Sequence, residues 1–274
     1  MNSESLRRRI KSIKSTAQIT KAMETVAASK YGRVLAMGES FGAYMRSLEA
    51  VMRGTVEMPG GRETAKSVCY VLFTGNRGMC GQYNADVINL LEELLREETR
   101  PYTVVACGRK GEEALARSTV PFESFELPDV PEERRAELLE EKLYALRTAG
   151  LADEIFLVYG KYKNVLVHTP VSESLLPQSG ESGNGPAGEE YIFLPDREAL
   201  TERMKKQYVK ARIYSVMLSA AEGFHSAVLT AMRSACDSSD EMLERLEKEL
   251  SRKRQGEITT EVLELAAGAD RRET

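Results

Sequence analysis

Two histidines, four cysteines and one glycine-rich loop are the groups in this 274-residue chain whose types and spacing could do chemistry. His168 closes an apolar run beside Thr169-Pro170 and has no nucleophile near it in sequence. His225 falls on a helical seam, where a packed or hydrogen-bonding ring is the commoner role. Cys69, Cys80, Cys107 and Cys236 form no C-x-x-C pair and show no zinc spacing, so no metal site is expected. Gly75, Gly78 and Gly81 sit between an apolar run and an amphipathic stretch, the place where a phosphate loop would lie. Their spacing is GxxGxxG and not GxGxxG, and Gly108-Arg109-Lys110 stands where a ribose-binding acid would follow the second strand. No Walker A lysine motif is present. A tight turn closing a domain is therefore favoured over a nucleotide site. Acidic pairs such as Glu140-Glu141 belong to a solvated helix face. Neither catalytic residues nor a cofactor are expected, and the chain does not read as an enzyme by itself.

Charge is unevenly spread. Residues 1–33 hold eight basic groups against Glu4 and Glu24, a net of +6, so with −4 overall the remainder carries −10. The net acidity argues against a dedicated nucleic-acid binder. The run Arg7-Arg8-Arg9 can be read as a targeting or nucleic-acid patch, as a solvated helix face, or as a surface meeting an acidic partner. Unpaired thiols and an N-terminal segment too charged for a signal sequence point to a reducing, cytoplasmic setting. No stretch approaches the ~20 apolar residues of a membrane span.

The elements that must position these groups are set by periodicity. Alternate steps of four and three from Leu6 reach Ile10, Ile13, Ala17, Thr20, Glu24, Ala27, Tyr31, Val34, Gly38, Phe41, Met45, Leu48 and Met52, nearly all apolar. The other end repeats the rhythm through Ala211, Tyr214, Leu218, Ala221, His225, Val228, Met232, Ala235, Ser239, Met242 and Leu246. A repeat this long predicts a left-handed coiled-coil seam between two long helices. Its polar interruptions Thr20, Glu24, His225 and Ser239 are expected to give up packing in order to touch a partner. The first helix is expected over residues 3–54, ending at Met58-Pro59-Gly60-Gly61, and the last over residues 196–267, opened by Pro195-Asp196.

Between them, residues 66–194 alternate strands and helices. Strands are expected at Val68–Thr74, Thr103–Cys107, Val120–Phe125, Glu154–Tyr159, Asn164–Thr169 and Tyr191–Leu194, with a flexible loop over residues 178–188. The fold class is α/β: an antiparallel coiled coil of the terminal helices, with a small doubly wound, Rossmann-like domain of mainly parallel sheet inserted between them.

Three stretches carry a family resemblance. Ile19-Thr20-Lys21-Ala22-Met23-Glu24-Thr25-Val26-Ala27-Ala28-Ser29-Lys30, preceded by the basic stretch Arg8-Arg9-Ile10-Lys11-Ser12-Ile13-Lys14, resembles the N-terminal helix of the gamma subunit of F-type ATP synthases. Thr74-Gly75-Asn76-Arg77-Gly78-Met79-Cys80-Gly81-Gln82-Tyr83-Asn84 is similar to that family's middle motif, and Arg254-Gln255-Gly256-Glu257-Ile258-Thr259-Thr260-Glu261 to its C-terminal one. The sequence departs from the pattern at Thr25, Val228, Gly256, Thr260 and Cys236-Asp237-Ser238-Ser239. No chloroplast-type insertion or transit peptide is visible, which suggests a bacterial or archaeal chain.

The resemblance implies a central rotor coupling ion-driven rotation of a membrane c-ring to ATP synthesis or hydrolysis. The implied partners are a hexamer of alpha and beta subunits, an epsilon-type subunit and the c-ring, on the cytoplasmic face of the cell membrane. It implies that Lys21 and Met23 face an acidic loop of the beta subunit. Arg254, Gln255 and Thr259 would meet the catalytic subunits higher up, Arg77 and Cys80 would lie in a loop near that interface, and Arg8, Arg9, Lys11 and Lys14 would form a basic contact surface. The small-residue tip Ala266-Ala267-Gly268-Ala269 is expected to turn in a bearing. A coiled-coil scaffold or adaptor with a non-catalytic Rossmann-like domain would share the helical ends, but the three ordered motifs do not follow from it.

Overall fold

The computed structural model describes residues 3–55, 65–176 and 196–270. The expected break at Met58–Gly61, the loop at 178–188, the strand at Tyr191–Leu194 and the side chains of the Ala266–Ala269 tip lie outside the described residues. The elements in order are α1 (Ser3–Thr55), β1 (Val68–Phe73), α2 (Tyr83–Glu97), β2 (Tyr102–Cys107), α3 (Arg109–Leu115), β3 (Phe122–Phe125), α4 (Glu133–Thr148), β4 (Glu154–Asn164), β5 (Val167–Ser174) and α5 (Arg197–Asp270). By internal contacts the chain divides into two units, residues 27–230 and residues 1–26 with 231–274.

In the larger unit the sheet order is β3-β2-β1-β4-β5, with β1 parallel to both β2 and β4 and only β5 antiparallel. That is the doubly wound order, with the chain reversing direction across the sheet between β1 and β4. All six residues of β1 are buried, because both faces of the sheet are covered. Val68, Tyr70 and Leu72 pack with Val87 and Leu91 of α2 and Leu115 of α3. Cys69, Val71 and Phe73 point the other way, to Leu139 and Leu143 of α4, Val34 of α1 and Ile213 to Ala220 of α5. Met45 and Met52 of α1 pack with Tyr208 and Ala211 of α5, and Phe41 meets Tyr214 edge-on, so the helices run antiparallel in this unit.

The hairpin departs from the sequence expectation. β4 runs on to Asn164, and β5 starts at Val167 and continues to Ser174. The sequence places a strand start at Asn164, beside an apolar run. Its side-chain oxygen instead accepts the backbone N–H groups of Leu166 and Val167, both at 3.0 Å, which makes Asn164-Val165-Leu166 the turn. β3 is also shorter than expected and begins at Phe122, just after Pro121.

In the smaller unit Leu6 and Ile10 of α1 pack with Leu243, Leu246 and Leu250 of α5. Lys14 pairs with Glu247 at 2.8 Å, and Arg233 reaches Glu24 at 3.6 Å, again antiparallel. Every expected seam position of α1 is buried or half-buried. On α5 one position differs: Met242 is 43% exposed and Leu243 takes its place against Leu6. The step from Ser239 is thus four and not three, a local stutter in the heptad.

At the start of α5 the Asp196 carboxylate accepts the N–H of Ala199 at 2.8 Å, capping the first turn.

Candidate functional site

Three regions hold the residues singled out in the sequence. In the smaller unit Lys21 and Met23 lie on α1 beside the seam. The Lys21 side chain is 70% exposed and donates to Glu24 at 2.8 Å, and Met23 is half-buried. Glu24 occupies a seam position and is 9% exposed; it gathers Lys21 from its own helix and Arg233 from α5. The Lys21 ammonium holds the Glu24 carboxyl below its ordinary range, with Arg233 adding to it against the opposing effect of burial. A buried carboxylate at such a position fixes the register of two paired helices. Arg8, Arg9, Lys11 and Lys14 are exposed, Arg8 pairing with Glu4 one turn away. Arg254, Gln255 and Thr259 are exposed, with the Thr259 hydroxyl donating to the Gln255 carbonyl at 2.8 Å. On the same stretch Ile258, Val262 and Leu263 are 52%, 59% and 65% exposed.

In the larger unit the glycine loop after β1 is built around Asn84. Its side-chain oxygen accepts the Gly75 N–H at 2.9 Å, and its amide donates to the Arg77 carbonyl and to the Cys80 sulfur, both at 3.1 Å. Cys80 is 3% exposed and packs with Tyr83, Phe224, Ala227 and Val228. Burial pushes its thiol above the ordinary range. Its neighbours face outward: the Arg77 side chain is 71% exposed and 3.9 Å from Asp129, and Met79 is 59% exposed. Met79 also has φ of 59°, a left-handed conformation unusual for an L side chain.

The crevice at the carboxyl ends of β1 and β4 is where an open α/β sheet binds ligands. Here α5 fills it. Gly75 lies so close under Phe224 that a Cβ would overlap the ring. Tyr83, the first residue of α2, is fully buried, packs on Gly160 and Gly223, and donates its hydroxyl to the Ala220 carbonyl at 2.8 Å. A cavity of about 40 Å³ remains, lined by Phe73, Asn76, Leu127, Met217 and Phe224 among others. That is room for a few waters.

Both histidines are engaged by the fold. His225 is 3% exposed, and its Nε2 lies 2.7 Å from the Asp129 carbonyl, which can only accept, so that nitrogen donates. Burial lowers its proton affinity against the pull of Asp129. His168 Nε2 lies 3.4 Å from Asp86 and its ring packs on Tyr83. Lys30 pairs with Asp129, which also accepts from Asn76 at 3.4 Å. The seam interruptions, expected to be outward contacts, are bonded within the chain: Thr20 donates to Thr16, Ser239 to Ala235, Glu24 meets Arg233 and His225 meets Asp129. Polar groups at a buried seam need partners, and at these four positions the fold provides them.

Fold and site define an α/β protein whose terminal helices pair antiparallel within each unit, with a doubly wound sheet in the larger unit and exposed basic and apolar residues on the helices. The family model described as ATP synthase matches residues 2–270. The chain is 36% identical over 275 residues to an ATP synthase gamma chain of Moorella thermoacetica, covering 97% of each. It is 32% identical over 279 residues to that of Rubrobacter xylanophilus, covering 97% of this chain and 96% of the other. Among solved structures it matches a chain of the Euglena gracilis mitochondrial ATP synthase OSCP/F1/c-ring in rotational state 3. There the TM-score is 0.71 at 18% identity, over 97% of this chain and 92% of that one. A chain of the same enzyme's rotor matches at a TM-score of 0.68 and 17% identity, over 93% and 98%. The chain belongs to the ATP synthase gamma-chain family.

Proposed function

We propose that the chain is the central rotor of an F-type ATP synthase, coupling ion-driven rotation of the membrane c-ring to ATP synthesis or hydrolysis at the alpha/beta hexamer. The observation that carries this reading is the end-to-end match to bacterial gamma chains, which takes in both terminal helices and the domain between them. In this role the chain does no chemistry of its own. It makes one catalytic site differ from the next by presenting a different face to each, since only differential contact energy can shift a conformational equilibrium. Its partners are the alpha and beta subunits, an epsilon-type subunit and the c-ring. Through them it is peripheral, at the cytoplasmic face of a bacterial membrane. No described helix is long and apolar enough to cross a membrane.

Lys21 and Met23 meet the beta subunit's acidic loop in this reading, and Arg254, Gln255 and Thr259 meet the catalytic subunits. Arg8, Arg9, Lys11 and Lys14 supply positive charge toward the same acidic surface. Ile258, Val262 and Leu263 support this, because bare apolar side chains on a long helix are what an enclosing sleeve would cover. In the glycine loop Arg77 and Met79 make the contact, and the buried Cys80 shapes the loop behind them.

Reconstitution with alpha and beta subunits tests the reading. The chain should enter the hexamer in one copy and raise its ATPase turnover. Failure to assemble, or turnover unchanged by its addition, overturns it. The isolated chain should bind neither ATP nor NAD by calorimetry, whereas a nucleotide-dependent enzyme would.

A further inference from the structure

We propose that Glu222 is a proton-linked lock in the seam of the larger unit: its neutral carboxyl seats in the notch at Gly38 and closes α1 onto α5 there, and ionisation loosens that contact. The observation is a fit between two residues. Glu222 of α5 is 8% exposed, and a Cβ on Gly38 of α1 would fall on its carboxyl oxygen. The missing side chain on one helix is the space that the acid on the other fills. Among the described residues no hydrogen bond or ion pair reaches this carboxyl, and its oxygens keep a small contact with solvent.

No cationic side chain among the described residues acts on this carboxyl. From α1 the facing titratable groups are Glu39, a like charge, and Tyr31. Tyr31 stays neutral, pushed up by burial and by its 2.6 Å hydroxyl pairing with Tyr162 of β4. On α5 itself Ser219 accepts the Tyr162 N–H at 3.1 Å, Ser226 donates to the Gly223 carbonyl at 2.9 Å, and His225 is engaged with Asp129. Burial, with Glu39 adding, pushes the Glu222 carboxyl up to about 7. A carboxylate largely withdrawn from water beside a like charge is costly to ionise, so the group holds its proton to higher pH. The folded chain then binds a proton that the unfolded chain releases at an ordinary carboxyl value near 4.5. The stabilisation is complete below that value and is lost as pH rises toward about 7.

The test compares the full chain with Glu222→Gln, which keeps the shape and cannot ionise. Thermal melts at pH 5 and pH 8 should show the substitution raising the melting temperature at pH 8 and leaving it nearly unchanged at pH 5. An infrared carboxylic-acid band should be present in the parent chain, absent from Glu222→Gln, and titrate with a midpoint near 7. A difference between the two chains that does not change with pH overturns the proposal, as does a midpoint in the ordinary carboxyl range. Addition of sodium or potassium chloride at pH 8 should leave the difference in place. Its disappearance with one cation only would mean that a metal ion, and not a proton, fills the notch. The band belongs to Glu222 only if Glu222→Gln removes it, since burial also pushes the Glu140 carboxyl up.

Discussion

Asn84 accepts the backbone N–H of Gly75 at 2.9 Å across the loop that follows β1, and the same side chain reaches the Arg77 carbonyl and the Cys80 sulfur. One buried amide thus sets the turn that places Arg77 and Met79 at the surface. The glycines permit the turn, and Asn84 selects it.

Removing that amide leaves the Gly75 N–H and the Arg77 carbonyl without their partners. Asn84→Ala should cost about 1–3 kcal/mol in urea unfolding of the isolated chain. Asn84→Asp keeps the Gly75 acceptor but turns a carboxylate oxygen on the Arg77 carbonyl in a buried site, so it should be destabilising as well. Equal stability of Asn84→Ala and the parent chain would show that water or another group takes over the loop.

Phe224 over Gly75 allows a size test. Gly75→Ala should be destabilising by about 1–3 kcal/mol through overpacking. Pairing it with Phe224→Leu should recover part of the loss, because the flat ring is what the new methyl meets. A double-mutant cycle on thermal or denaturant unfolding measures the coupling. Additive effects would mean that the two residues do not share the space.

Glu98 gives a pH prediction of the opposite sign to Glu222. The Arg100 guanidinium holds its carboxyl down to about 2, with the Tyr70 hydroxyl also donating to it against the opposing effect of burial. The folded-state value lies below the unfolded one, so this contribution is present at neutral pH and is lost as pH falls from about 4.5 toward about 2. Glu98→Gln should flatten the acid limb of a stability–pH curve over that window and leave the limb above pH 6 unaltered. An unchanged acid limb would remove Glu98 from the account.

Met23→Lys places a second cation two residues from Lys21, at a half-buried position of α1. In the assembled complex it should lower ions pumped per ATP hydrolysed more than it lowers hydrolysis itself, read by proton or sodium uptake into vesicles alongside phosphate release. Uncoupling should weaken at high salt, since exposed charge contacts are screened over about 10 Å at 0.1 M. Unchanged coupling would sink the Met23 assignment.

Much of this fold was legible in residue order. The 4-3 rhythm located the seam because helix packing repeats whatever the partner is, and the apolar run Val68–Thr74 announced a strand covered on both faces. The same rule failed at Met242, where a single stutter moved the seam to Leu243. It failed again at Asn164, where a side-chain hydrogen bond outweighed a strand-like apolar run.

By itself the sequence determined the element order, the pairing of the two ends and the three motifs that give the family, since each is a local or periodic signal. Only the tertiary structure decided what the polar interruptions do. Glu24 and His225 look alike in sequence, as polar residues on an apolar seam, and Glu222 falls beside that seam, where the 4-3 rhythm does not flag it. Their roles are set by groups remote in the chain: Arg233 for Glu24, the Asp129 carbonyl for His225, and the absent side chain of Gly38 for Glu222. A buried polar group takes its character from its partner, and the fold chooses the partner.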